Sequence, residues 1–216
     1  MEYTIRNEQP ADYRAVEEIT RMAFWNVHAP GCNEHYLVHA MRDHKDFIRE
    51  LDFVLEMNNE IIGNIMYTRS WLIHESGNAL DILTFGPVSI APKYQRQGYG
   101  SLLIDHSIQK AIERGESAIV IYGNPGHYVK FGFKSCRKYL VTNGNNEYPT
   151  AMLVKELKNG VLGQQKWIYK ESGVYNVDDI EAEKFDQQFE KMKKRVTPSQ
   201  EEFYILANSR VVGDFN

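Results

Sequence analysis

Val88-Ser89-Ile90-Ala91-Pro92-Lys93-Tyr94-Gln95-Arg96-Gln97-Gly98-Tyr99-Gly100-Ser101 is the stretch whose reading decides the fold. It opens on β-forming residues, Ala91-Pro92 ends that run, and two glycines spaced i, i+2 lead into Leu103, Ile104, Ile108, Ala111 and Ile112 at helical spacing. A strand, a short loop and a helix therefore follow one another. Gly115 stands where a helix C′ residue belongs, and residues 118–122 are a continuous apolar run. That order marks a βαβ unit whose second strand is parallel and covered on both faces. Missing side chains at Gly98 and Gly100 let a ligand approach the backbone, and the first-turn N–H groups with the helix dipole favour an anion there. The stretch lacks the Gly-Lys-Ser/Thr ending of a P-loop and the third glycine of a dinucleotide fold, so both nucleotide readings fail at named positions. Two glycines alone are equally served by a turn that binds nothing.

Upstream, Tyr3 and Ile5 alternate with polar neighbours as a short strand, and Pro10-Ala11-Asp12 opens a helix carrying Val16, Ile19, Ala23 and Phe24. Pro30-Gly31 breaks that run, and a second helix is predicted over residues 34–44. Strands at 53–57 and 61–72 are joined as a hairpin through Asn58-Asn59. Residues 80–90 form a strand that should bend or leave a neighbour at Gly86-Pro87, since proline removes a ladder donor. Downstream, residues 151–154 and 166–169 read as strands. Asp178-Asp179 begins a charged helix predicted to run to Lys193-Lys194-Arg195 and to stop at Pro198, and Ser199 with Glu202 suggests a capping box for a last helix through Leu206.

The 216 residues carry a net charge of −4, which offers no field for holding nucleic-acid backbones or anionic membranes. With 43% hydrophobic and 25% charged residues the composition is globular, not disordered. No apolar run approaches the ~20 residues of a membrane span, and Met1-Glu2-Tyr3 does not begin a secretory signal, so a soluble, cytoplasmic protein is expected. Two cysteines, Cys32 and Cys136, make no disulfide framework.

Gln95-x-x-Gly98-x-Gly100 resembles the pyrophosphate-binding motif of the Gcn5-related N-acetyltransferase (GNAT) superfamily, and Tyr128-x-x-x-Gly132-Phe133 resembles its second signature. The resemblance implies a mixed, mostly antiparallel sheet with a central parallel βαβ cofactor unit and flanking helices. It covers residues 3–157 in element order, which gives an acetyltransferase domain over 1–157 and a C-terminal extension over 158–216, packed on that domain or forming a partner interface such as a homodimer's. It implies direct transfer of an acetyl group from acetyl-CoA to a primary amine. Val88 and Ile90 would offer backbone groups to the pantetheine arm, Arg96, Gly98, Gly100 and Ser101 would cradle the pyrophosphate, and Gln95 would hold the loop. Asn124 matches a position that contacts the cofactor arm, although an Asn-Pro turn explains it equally well. The Val88 N–H would polarise the thioester carbonyl as oxyanion donor, and Tyr128 would be the general acid for the leaving thiolate.

The base is not identified. Thr84 stands where some relatives carry a glutamate, counted back from Gly98, and Asp81, Glu34 and His35 or a water chain are the candidates. That threonine also supports the alternative, a non-catalytic acyl-CoA-binding or regulatory module of the same fold. His28, Cys32, His35 and His39 would line up as metal donors on an unbroken helix, but Pro30-Gly31 interrupts it. No metal is expected, and the segment is read as a wall of the acceptor site.

Overall fold

The computed structural model describes residues 3–213. In chain order come strand β1 (Tyr3–Asn7), helices α1 (Tyr13–Phe24) and α2 (Glu34–Met41), and strands β2 (Phe53–Met57), β3 (Glu60–His74) and β4 (Ala79–Ile90). Helix α3 (Tyr99–Glu113), strand β5 (Ala118–Tyr122) and the single helical turn α4 (Pro125–Tyr128) follow. Strands β6 (Lys134–Ser135), β7 (Val141–Thr142), β8 (Met152–Glu156) and β9 (Trp167–Lys170) precede helices α5 (Asp179–Asp186) and α6 (Pro198–Asn208). Strand pairing is mostly antiparallel, as expected, with β4 and β5 the parallel pair of the βαβ unit. No helix among the described residues is long and apolar enough to cross a membrane. The chain divides into two compact units, and β3, β4, α3 and α6 each contribute to both.

The first unit comprises residues 1–67, 86–110 and 173–201. Its β2–β3 hairpin, with β1 paired on the outer edge of β2, turns at Asn58 and Asn59, both left-handed, a conformation asparagine tolerates because its short amide bonds locally. Helix α1 buries Val16 and Ile19 against Leu37, Val38 and Met41 of α2 and against Val54 and Met66 of the strands. Each such aliphatic side chain contributes about 1.5–3 kcal/mol on full burial. Among these apolar groups lies a charged cluster in which Arg42 donates to both Glu8 oxygens at 2.8 and 3.0 Å and to Glu17 at 2.8 Å. Helix α3 is tied inward by Ser107 Oγ, 2.8 Å from the buried Tyr67 hydroxyl.

The second unit comprises residues 68–85, 111–172 and 202–216. Here β5 lies between β4 (Leu83↔Ile119) and β8 (Val120↔Val154), so four of its five residues are buried, as its unbroken apolar sequence demands. Strand β9 adds to β3 on one edge and to β7 on the other. Leu72, Ile82, Val120, Met152 and Trp167 make its core. Helix α3 ends with Gly115 N–H donating to Ile112 O at 2.9 Å and Glu116 N–H to Ala111 O at 3.1 Å, the Schellman pattern expected of a C′ glycine.

Two local expectations are corrected. The charged helix ends at Asp186 rather than Arg195: residues 187–189 close it with turn bonds to the carbonyls of 184–186, and beyond them backbone groups go to tertiary partners. Lys193 O accepts from Trp25 Nε1 and Asn26 Nδ2, and Arg195 N–H donates to Asn26 Oδ1 at 3.0 Å. Pro198 does not stop that helix but opens α6, where a residue without an N–H costs nothing. Ser199 Oγ donates to Val27 O at 2.9 Å rather than serving a capping box.

Candidate active site

In the first unit, β4 ends with Ser89 turned inward, its Oγ 2.8 Å from Thr20 Oγ1 of α1, while Val88 and Ile90 are half-exposed on the opposite face. The loop that follows is folded back on the strand by Gln95, whose Nε2 donates to Ile90 O at 2.9 Å. Arg96 and Gly98 are left-handed, at φ +60° and +93°. A Cβ on Gly98 would meet nothing within 4 Å, so the backbone conformation, not crowding, calls for glycine there. At Gly100 the reverse holds: its φ is ordinary, and an added Cβ would sit 3.6 Å from Ile90 Cγ1, a normal contact. The chain itself does not need a glycine at that position. Gly98 precedes α3, so the N–H groups of the first turn and the positive end of the helix dipole open onto this bare backbone. Ser101 N–H donates to Gly98 O at 3.0 Å. Arg96 is exposed, and Lys93 is held by Glu60 at 2.9 Å. The loop and the start of α3 thus present backbone that no side chain covers.

In the second unit, Asn124 caps α4, its Oδ1 accepting from Gly126 N at 2.9 Å, which is the turn function open to it from sequence. Tyr128, at the end of α4, lies so close over Gly123 that a Cβ there would come within 2.5 Å of the ring. Phe85 and Phe133 flank that ring at 5.9 Å each. Burial pushes the Tyr128 phenol up to about 12. Thr84, the neighbour of Phe85 on β4, faces the other way, and its Oγ1 is 2.6 Å from the Tyr169 hydroxyl. The Tyr169 ring is 6.0 Å from that of Tyr122. Glu171, two residues past Tyr169, is half-buried and carries the one carboxylate charge that acts most on Tyr122.

The structure keeps only Cys32 and His35 of the His/Cys series together, with Cys32 Sγ 3.5 Å from His35 Nδ1 and 3.6 Å from Arg21 O, while His28 Nδ1 pairs with Glu34 at 2.9 Å and His39 Nδ1 is 2.9 Å from Glu17. His35 is fully buried, and its Nε2 lies 3.1 Å from Asp186 Oδ1 at an angle that makes no regular hydrogen bond. Burial lowers the His35 pKa and raises the Cys32 thiol to about 12. Among the described residues no three His, Cys, Asp or Glu side chains converge on a common point fit for a metal. The segment instead borders a cavity of about 460 Å³ whose wall includes Phe24, His28, Cys32, Glu34, Asp179 and Glu183. This cavity shares no residue with the glycine-marked loop.

A family model described as "Acetyltransferase (GNAT) family" matches residues 17–133, more than half of the chain and inclusive of both that loop and Tyr128. The chain belongs to the GNAT acetyltransferase family. Over 131 residues it is 27% identical to the uncharacterized N-acetyltransferase YhbS of Escherichia coli K12, a match spanning 60% of this chain and 72% of the relative. The crystal structure of E. coli YhbS in complex with CoA superposes with a TM-score of 0.70 at 21% identity, covering 81% of this chain and 92% of that one. A GNAT family acetyltransferase from Brucella melitensis in complex with acetyl-CoA gives 0.64 at 22% identity, covering 81% and 98%. At these identities the two structures speak for the fold.

Proposed function

We propose that the protein is an acetyl-CoA-dependent N-acetyltransferase that moves an acetyl group directly from acetyl-CoA to a primary amine. The observation that carries this reading is the Gln95–Ser101 cradle: a left-handed loop pinned to β4, and bare backbone at Gly100 where the chain would tolerate a side chain. Arg96, Gly98, Gly100 and Ser101 receive the pyrophosphate of the donor, with Gln95 fixing the loop. The half-exposed β4 residues Val88 and Ile90 offer backbone groups to the pantetheine arm as an added strand would. Asn124, while capping α4, also meets that arm.

Three chemical tasks remain once the donor is held. The Val88 N–H stabilises the oxyanion that forms when an amine adds to the thioester carbonyl. Tyr128 keeps its proton throughout the physiological range and gives it to the departing thiolate. The acceptor has to shed a proton before it can attack, since an alkylammonium has a reference pKa near 10.4. The cavity beside the α1–α2 segment, with Glu34, Asp179 and Glu183 in its wall, supplies a surface for a cationic acceptor.

Acetyl-CoA at 100 times its Kd should raise stability by about 2.7 kcal/mol, read as a higher Tm. Gly100→Val fills the cradle and should abolish the shift while leaving the unliganded Tm nearly unchanged; an undiminished shift removes the cradle from the reading. Free thiol release with a panel of primary amines, and the mass of the product, then separates a transferase from a module that binds acyl-CoA without turnover.

A further inference from the structure

Resting on the transferase reading above, we propose that Lys194 is a built-in competitor for the acceptor. Its ammonium sits at the wall of the cavity beside the α1–α2 segment, where an acceptor carrying a second positive charge binds, and such an acceptor displaces it.

The fold places this lysine from both sides. Asn26 Oδ1 accepts from Gly31 N–H at 2.9 Å and from Arg195 N–H at 3.0 Å, and Asn26 Nδ2 donates to Lys193 O at 3.1 Å. Trp25 Nε1 adds a bond to Lys193 O at 3.2 Å. The two neighbours of Lys194 are thereby fixed by the same amide that fixes Gly31. Gly31 is left-handed at φ +91°, and a β-carbon on it would stand 3.1 Å from Lys194 Cε and 3.3 Å from Cδ. The lysine stem therefore lies along bare glycine backbone, and its Nζ donates to Glu183 Oε2. Gly31 and Glu183 both belong to the cavity wall.

Glu34, Asp179 and Glu183 are the carboxylates of that wall. Glu34 is taken up locally, with Oε1 2.9 Å from His28 Nδ1 and Oε2 accepting from Asn33 N–H at 3.1 Å. Asp179 Oδ1 accepts from Asn33 Nδ2 at 2.6 Å, a partner that brings no positive charge. Only Glu183 is paired with a lysine among the described residues. Asp179 and Glu183 stand four residues apart on α5, one turn along the same face, so a cation between them meets both charges. The side chains of Lys194 and Glu183 are 44% and 59% exposed, and an ion pair so open to water holds weakly and exchanges readily for a ligand cation.

The same wall leads to the donor strand. Val177 lines the cavity, its N–H donates to Tyr175 O at 3.0 Å, and the Tyr175 hydroxyl lies 3.4 Å from Gly86 O, just ahead of Pro87 and Val88. An acceptor laid along this wall has one end toward β4 and the other on Glu183. A diamine meets Lys194 with its second ammonium. A monoamine brings its one nitrogen to the reacting end and leaves Lys194 in place.

The test is calorimetric titration of the full chain, with CoA present, by diaminobutane and by butylamine near neutral pH, where both amines carry their full charge. Lys194→Gln should tighten the diamine Kd about fivefold, the upper end for one exposed ion pair, while the butylamine Kd and the Tm stay near wild type. That gain should vanish at about 1 M salt, where the screening length is about 3 Å. In a Glu183→Gln background the same substitution should change nothing, because the carboxylate over which lysine and ligand compete is gone. A diamine that does not bind, a Kd that is unchanged or weaker in Lys194→Gln, an equal gain for both amines, or a gain that persists in the Glu183→Gln background each overturns the assignment and leaves the transferase reading standing. A protein that binds the diamine as expected but releases thiol from acetyl-CoA with no amine of the panel overturns the transferase reading, and with it the acceptor role given to the bound diamine.

Discussion

Tyr128 illustrates how one side chain acquires a role from its surroundings. Thirteen tyrosines occur in the chain, and what sets this one apart is a ring pressed onto Gly123 between Phe85 and Phe133. Tyr128→Phe preserves that packing and removes only the proton. Turnover should fall about 100-fold, at the low end for general acid catalysis because a thiolate leaves readily, with acetyl-CoA binding intact. The phenol is raised to about 12, so it stays protonated below that pH, and the wild-type rate should show no alkaline fall from this group up to about pH 10. Full turnover in Tyr128→Phe, measured at saturating amine, makes the ring a packing residue. The motif around Tyr128 was legible because Tyr128-x-x-x-Gly132-Phe133 resembles the family's second signature.

At the scale of elements, the segment 187–197 is the part least legible in sequence. Its acidic start and basic end suit a helix dipole, yet the competing tertiary bonds win. Asn26, buried and left-handed at φ +62°, accepts from Gly31 N–H and Arg195 N–H, and its own carbonyl accepts from Thr197 Oγ1 at 2.7 Å. Arg14 adds a bond to Gln188 O at 2.9 Å and stacks over Phe189 at 3.7 Å. Asn26→Ala leaves the Gly31 and Arg195 N–H groups without their acceptor and the Lys193 carbonyl without its donor, and puts in a left-handed site a residue with no side-chain amide to ease it. The expected loss is about 2–5 kcal/mol from an orphaned pair and the backbone penalty. Urea unfolding should report it, together with faster tryptic cleavage at Lys193, Lys194 and Arg195. A change under about 0.5 kcal/mol would mean the strap is held by other contacts. The βαβ unit, by contrast, was legible throughout, since its periodicity, its glycine C′ residue and its apolar strand all point to the same arrangement.

At the scale of the whole molecule, the dependence of stability on pH is set by carboxyl groups of opposite sign. Asp12 is held below its ordinary value, first by the Arg6 guanidinium at 2.6 Å, so its contribution is present above the unfolded pKa and lost as pH falls. Asp52 is raised, first by burial and then by the neighbouring Glu8 charge, against the pull of Asn64 and Arg42. Its contribution is present at low pH and lost as pH rises, because the unfolded chain ionises where the folded chain must keep the proton. Asn64 Nδ2 donates to Asp52 Oδ1 at 3.1 Å, and a protonated Asp52 can donate in turn to Glu8. Asparagine reproduces that donor and acceptor pattern. Asp52→Asn should therefore raise the Tm, with a gain that grows from pH 5 to pH 8. A gain that shrinks over this range, or a loss, means that Asp52 is ionised and paired with Arg42.

The mixed α/β class, the βαβ unit and the glycine-marked loop before α3 were legible in the residues themselves. These rest on local properties: hydrophobic period, backbone freedom at named glycines, and the unpaired N–H groups at a helix start. The sequence also carried both motifs that lie within the GNAT family match. Folding settled that His28 and His39 pair with Glu34 and Glu17 while only Cys32 and His35 of the series meet, and that residues 187–197 are a strap rather than a helix. For His39 and the strap the partner lies far along the chain, and the competition between a local bond and a distant one is settled by packing, which no spacing in the sequence records.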